Sequence, residues 1–269
     1  MLSDRQKLIL KAVIEEYIRE AEPVSSKTLE SKRGVAVGAP MLRKELNFLE
    51  EGGYLLKPHT SAGRVPTDKA YRMYIQEELA DRSYKTNTTD KQIVVGLTIK
   101  ESEKVAETLN KKWPDDQALL KEISRLVSEI SKELSVAGTV GGENSYTFGF
   151  SNLSREPEFQ TLGNINQLMR FMDNVDSHFD DLWSRVLNEG LNVFIGAENP
   201  IKEINEFTLI TGKYQLPEGK PFGFLRQSSG QAAQGRQGFI SIIGPRRMNY
   251  KRNMSLVKYI SEYINNINA

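Results

Sequence analysis

Arg43, Lys44 and Asn47 are the residues in this chain whose types and spacing best suit a chemical task. They share one face of a predicted helix, because Leu42, Leu46 and Leu49 occupy the opposite face. An arginine can bridge the two acceptors of guanine, an asparagine can pair with adenine, and a lysine can meet guanine or phosphate. A helix entering a DNA major groove by its N-terminal half presents such a set. Downstream, Lys57 to Thr67 forms a polar, turn-rich ribbon with basic ends. Within it Lys57, His59, Thr60, Ser61 and Arg64 suit phosphate or minor-groove contacts. Upstream, Ser25, Ser26 and Lys27 are placed to hold a phosphate backbone.

No other constellation supports a reaction. His59 and His178 are the only histidines, and no carboxylates stand at a recognisable metal-ligand spacing from them. His59 reads as a ribbon residue and His178 as part of a polar helix surface. Gly138 to Gly142 lacks the lysine and the glycine pattern of a phosphate-binding loop. Asp180-Asp181 reads as a solvated helix face, and Asp115-Asp116 as the cap of the helix after Pro114. The chain has no cysteine, which excludes disulfides, thiolate metal sites and a cysteine nucleophile. We therefore expect neither an enzyme nor a bound cofactor or metal.

The elements that must position the basic face follow from pattern and punctuation. Ser3 and Gln6 form a capping box, after which Ile9, Ala12, Val13 and Tyr17 recur at helical spacing to about Arg19. Ser25 or Ser26 caps a short second helix that ends near Lys32 and Gly34. The third helix opens at Ala39-Pro40 and closes at Gly52-Gly53. Two short strands, Tyr54 to Lys57 and Arg64 to Thr67, flank the ribbon tip, and a fourth helix carries Tyr71, Tyr74, Ile75 and Leu79. Helix, helix, helix, ribbon is the order of a winged helix-turn-helix domain. Without that order, a basic helix face would read as ordinary solvated surface.

The second half predicts a helix over Leu119 to Leu134 and another over Ile165 to Met172. Further helices are predicted over Phe179 to Leu187 and from Met254 to Ile267. Strands are predicted at Tyr146 to Phe150, Leu191 to Ile195, Phe207 to Thr211 and Phe239 to Ile243. The fold class is therefore α+β. A Thr/Asn-rich, charged segment separates the halves. The expected organisation is a DNA-binding domain over 1–78, a linker over 79–92 and a regulatory domain over 93–269.

Charge agrees with a local rather than a global nucleic-acid surface. The whole chain carries a formal net charge of +1. Between Val24 and Tyr74, nine basic residues face five acidic ones, a local excess of four (9 − 5 = 4). The N-terminus has no signal-peptide pattern, and no apolar run approaches membrane-spanning length, so a cytoplasmic protein with no membrane partner is expected.

Several segments, in order, resemble the HrcA family of bacterial heat-inducible transcription repressors. They are Ser3 to Leu10, Glu22 to Leu29, Lys57 to Thr67, Phe148 to Leu153 with Glu156 to Phe159, Ile195 to Pro200, and Ile243 to Tyr250. The resemblance implies a GAF-like second domain with a dimerising insertion. It further implies repression of chaperone operons from the inverted-repeat CIRCE operator, a homodimer, and maintenance by the chaperonin GroEL. Two departures stand out. The family's Ser-Ser-Ala-Thr-Ile-Arg-Asn pattern is replaced by Gly38 to Lys44, which keeps Arg43 but neither the two serines nor the asparagine, so that hydroxyl capping is lost and Lys44 adds charge. The insertion is shortened to the stretch Ser135 to Ser145, and dimerisation through the remaining surfaces is expected. The changed helix also leaves a rival reading: a ligand- or protein-sensing winged-helix regulator without strict operator specificity.

Overall fold

The computed structural model describes residues 2–33, 38–59, 62–80, 96–141, 145–159, 161–185, 190–216 and 237–267. The chain divides into two compact units, Met1–Arg82 with Arg246–Asn249, and Ser83–Pro245 with Tyr250–Ala269.

In the first unit, helix α1 (Asp4–Glu20) opens on the Ser3/Gln6 capping box and stops where Ala21 turns left-handed. Helix α2 (Ser26–Arg33) begins under the Ser25 hydroxyl, which accepts from the Thr28 backbone N–H at 3.1 Å. Helix α3 (Ala39–Glu51) follows, then strands β1 (Leu55–Leu56) and β2 (Val65–Pro66), paired antiparallel, and helix α4 (Asp68–Ala80). The strands are shorter than their sequence pattern predicts. Ile9, Leu10, Val13, Leu29, Leu42, Leu46, Leu49, Tyr71 and Ile75 are buried, so every helix contributes to the core, α2 through Leu29.

The second unit is a five-stranded antiparallel sheet in the order β4-β3-β7-β6-β5. Its strands are β3 (Leu134–Thr139), β4 (Ser145–Phe148), β5 (Leu191–Ile195), β6 (Thr208–Gln215) and β7 (Gln237–Gly244). The helices are α5 (Ile99–Leu109), α6 (Asp116–Ser131), α7 (Phe150–Leu153), α8 (Leu162–Asp173), α9 (Val175–Arg185) and α10 (Tyr250–Ile267). Leu134, Val136, Leu209, Phe239 and Ile243 cluster with Phe171, Phe179 and Trp183 of α8 and α9. The alternate positions meet the other helices. A Cβ added at Gly212, on the same pleat as its partner Ile240, would lie 2.9 Å from Val257 of α10. Both faces of the sheet are thus covered, which is why its central strands β3, β7 and β6 are buried along nearly their whole length.

Four expectations are corrected. Leu134 is not the end of a helix: Lys132 turns left-handed with φ 66°, ends α6, and Leu134 opens β3. The stretch from Ser135 is not merely a shortened connection, because β3 runs through Thr139 and pairs with both β4 and β7. The strand at Tyr146 stops at Phe148, since Gly149 adopts φ +96° and starts α7. His178 is not a surface residue. It is half-buried, stacked on Phe171 with ring centroids 5.6 Å apart, and 3.8 Å from Glu203.

Helix α5 has no counterpart in the sequence reading. Its capping box joins Thr98 and Glu101, with the Thr98 N–H donating to Glu101 Oε2 at 2.8 Å. Burial pushes the Glu101 carboxyl up, but the Thr98 backbone N–H and the Arg252 guanidinium outweigh it and hold the group below its ordinary value. A lowered folded pKa contributes stability above the unfolded value of about 4.3, lost as pH falls through the folded value. Glu101→Gln should therefore flatten the acid limb of the stability curve. Urea unfolding from pH 7 to pH 3 checks this, and parallel curves for both proteins would refute it.

Candidate nucleic-acid interface

Helix α3 is built to show one face and hide the other. Leu42, Leu46 and Leu49 are buried, whereas Pro40, Arg43, Lys44 and Asn47 are exposed. Gly38 offers no side-chain cap, but the helix start is not left bare. The Glu30 carboxylate of α2 accepts from the Ala39 N–H at 3.2 Å. A carboxylate at a helix N-terminus meets both the orphan donors and the positive end of the dipole. The hydroxyl caps that the sequence lacks are thus replaced in part from a neighbouring helix. At the other end, Lys69 Nζ donates to the Gly52 carbonyl at 2.8 Å and sits over the Tyr54 ring at 4.3 Å.

The ribbon is fixed beside this helix. Arg64 and Val24 exchange two backbone hydrogen bonds, both at 2.8 Å, which tie the ribbon to the entrance of α2. Gly63 makes that approach possible, since an added Cβ would lie 2.5 Å from the Pro23 carbonyl oxygen. Thr67 completes the ribbon's base, donating its hydroxyl to the Gly53 carbonyl at 2.8 Å.

The sequence-predicted residues fall into distinct groups. Lys27, Arg43, Lys44, Asn47 and His59 are exposed, and Ser26 and Lys57 are half-buried. The Ser25 hydroxyl is occupied as the cap of α2, where it also meets the Thr28 hydroxyl at 2.9 Å. Thr60 and Ser61 lie outside the described residues. Arg64 does not project from the ribbon as a free cation. It is half-buried, and its Nη2 donates to Glu50 Oε2 at 2.8 Å and to Asn47 Oδ1 at 2.6 Å. Glu30, Glu50, Gly63 and Val24 shape the interface without appearing among the predicted residues. Glu50 and Asn47 are one helical turn apart, so their shared face is visible in the sequence. Their joint pairing with Arg64, seventeen positions beyond Asn47, is not.

The downstream segments that carry the family resemblance serve the fold. The Asn152 amide donates to the carbonyls of Ser128 and Glu133 and to the Ser128 hydroxyl, at 3.4, 3.4 and 3.2 Å. The Asn199 amide donates to the carbonyls of Ile204 and Phe207 at 3.1 and 3.3 Å. These side chains satisfy buried backbone groups where the chain turns.

A helical unit with an exposed basic face and a pinned two-stranded ribbon, in one chain with a covered antiparallel sheet, defines a two-unit protein of mixed α and β structure. Residues 71–254 match the family model described as the HrcA protein C-terminal domain. The chain belongs to the HrcA family. A protein from Brevibacillus brevis named heat-inducible transcription repressor HrcA is 26% identical over 347 residues, covering 97% of this chain and 96% of that protein. A namesake from Alkaliphilus metalliredigens is 26% identical over 352 residues, covering 99% and 98%. Both alignments are longer than the 269 residues of this chain, so these relatives carry sequence that it lacks. A crystal structure described as that of a hypothetical protein, at 2.2 Å resolution, superposes with a TM-score of 0.72 at 19% identity. It covers 99% of each chain and shares the fold. Among the described residues, no helix is long and apolar enough to cross a membrane.

Proposed function

We propose that the first unit is a winged helix-turn-helix module and that the chain represses heat-inducible chaperone operons by binding a specific DNA operator. The carrying observation is the exposed Arg43, Lys44 and Asn47 face of α3, held beside a ribbon whose position is set by Val24, Gly63 and Arg64. Arg43 and Lys44 supply base or phosphate contacts, Asn47 reads a base, and Lys27, Lys57 and His59 approach the phosphates. Ser25 and Ser26 position the start of α2 there. The names of the family's curated relatives support the regulatory role. On an inverted repeat of the CIRCE type, two copies place two α3 helices on two half-sites, so a homodimer is the working form. The second unit acts as its GAF-like regulatory and dimerising part, with the chaperonin as the partner that maintains it.

Binding driven by phosphate neutralisation weakens steeply with salt, by roughly 10³-fold or more between 50 and 200 mM for six or more contacts. An anisotropy titration on an inverted-repeat duplex and a scrambled duplex, with light scattering of the complex, tests the proposal. Salt-insensitive binding would sink the DNA reading, and a one-copy complex on two half-sites would sink the dimer.

One observation favours a second reading, a protein-sensing regulator without strict operator choice. Met41 and Phe48, one flank of the same helix, are 38% and 47% exposed. Apolar side chains on such a face also suit a protein surface. Equal affinity for the two duplexes would favour that reading.

A further inference from the structure

The arrangement around Arg64 bears on which base α3 selects. Arg64 leaves the ribbon at a fixed point, because its backbone is bonded in both directions to Val24 and the preceding Gly63 is packed on Pro23. Its Nη2 reaches α3, where it lies 2.6 Å from Asn47 Oδ1 and 2.8 Å from Glu50 Oε2. A guanidinium has five N–H donors and no acceptor, so the Asn47 atom facing it has to be the carbonyl oxygen. The amide is planar, so holding Oδ1 toward the ribbon turns Nδ2 away from it, on an exposed residue. Arg43 and Lys44, exposed on the same side of the helix, also only donate. The charge of Glu50 holds Arg64 in place and removes it as an independent phosphate contact.

We propose that Arg64 is a positioning residue that fixes the Asn47 amide with its NH2 group outward, so that α3 selects guanine over adenine at the base pair Asn47 faces. The proposal rests on the DNA-binding reading above and goes beyond it to a base. Guanine presents two acceptors, N7 and O6, in the major groove, whereas adenine places an amino donor beside N7. Pairing with adenine requires both the carbonyl and the NH2 of an asparagine, and here the carbonyl is directed to Arg64.

The test uses the full chain and a duplex selected by it from a randomised library, with every half-site base pair then substituted in turn. Asn47→Ala identifies the position it reads, as the one whose base preference disappears. There the wild-type chain should bind guanine about tenfold more tightly than adenine. Arg64→Met frees the amide to rotate, so the guanine-to-adenine ratio should fall to one or invert. Arg64→Lys, which keeps donors for both oxygens, should retain the preference. Thermal unfolding of each variant establishes that it is folded at the assay temperature. A wild-type preference for adenine at that position overturns the proposal, as does an Asn47→Ala variant that alters no position. A folded Arg64→Met variant that weakens every duplex equally and keeps the ratio shows a purely structural role and also overturns it. If the wild-type chain selects no duplex at all, the DNA-binding reading itself has failed.

Discussion

Replacing Gly149 with alanine should cost the second unit about 4 kcal/mol, the combined scale of a strained backbone and an overpacked site. Gly149 adopts φ +96°, a conformation that L side chains rarely take. There is no room for a methyl group either. A Cβ would lie 2.2 Å from the Glu133 carbonyl oxygen and 2.2 Å from the Ser128 hydroxyl. Neither neighbour can retreat freely. Ser128 Oγ donates to that carbonyl at 3.0 Å, and the Asn152 amide donates to both groups. Moving them would open the junction between α6 and β3, where Leu134 and Val136 enter the core. Urea unfolding measures the loss. A loss below about 0.5 kcal/mol, the range of an ordinary surface change, would show that the junction relaxes around the new methyl group.

The largest effect on binding should come from Arg43→Ala combined with Lys44→Ala. Losing one bidentate base contact and one further cationic contact should weaken operator binding by roughly 3 kcal/mol, about a hundredfold. The magnitude of the salt slope should fall by about one for each lost phosphate contact. Both side chains are exposed and neither belongs to the buried Leu42, Leu46 and Leu49 face, so thermal unfolding should be unchanged. Undiminished operator affinity in a folded double variant would remove α3 from the interface. The same loss on scrambled DNA would assign both residues to phosphates rather than bases.

The first unit was largely legible because its signals are local. Ser3, Ser25, Pro40 and the Gly52-Gly53 pair mark helix boundaries through contacts within a turn of the chain. The leucines of α3 recur at the helical period and are buried. In the second unit, β5, β6 and β7 showed themselves as apolar runs. Strand β3 did not, because Leu134 to Thr139 is rich in small and hydroxyl residues and gains its strand character by pairing on both sides. Helix α6 seemed to extend to Leu134 because periodicity cannot register a left-handed Lys132. His178 looked polar and proved to be an aromatic packing partner of Phe171.

By itself the sequence determined which residues can donate hydrogen bonds to DNA, where the helices of the first unit begin and end, and which face of α3 points outward. These depend on side-chain chemistry and on spacings within a few residues. The tertiary structure decided which of those donors are already occupied. Glu30 reaches the start of α3 from another helix, and Lys69 caps its far end. Arg64, read as a ribbon cation, is spent on Glu50 and Asn47. An ion pair between a ribbon and a helix forms only when the fold brings distant parts of the chain within about 3 Å, a distance at which charge-assisted hydrogen bonds are strong. No local pattern encodes that proximity, and it sets both the charge the ribbon can offer and the direction in which Asn47 points.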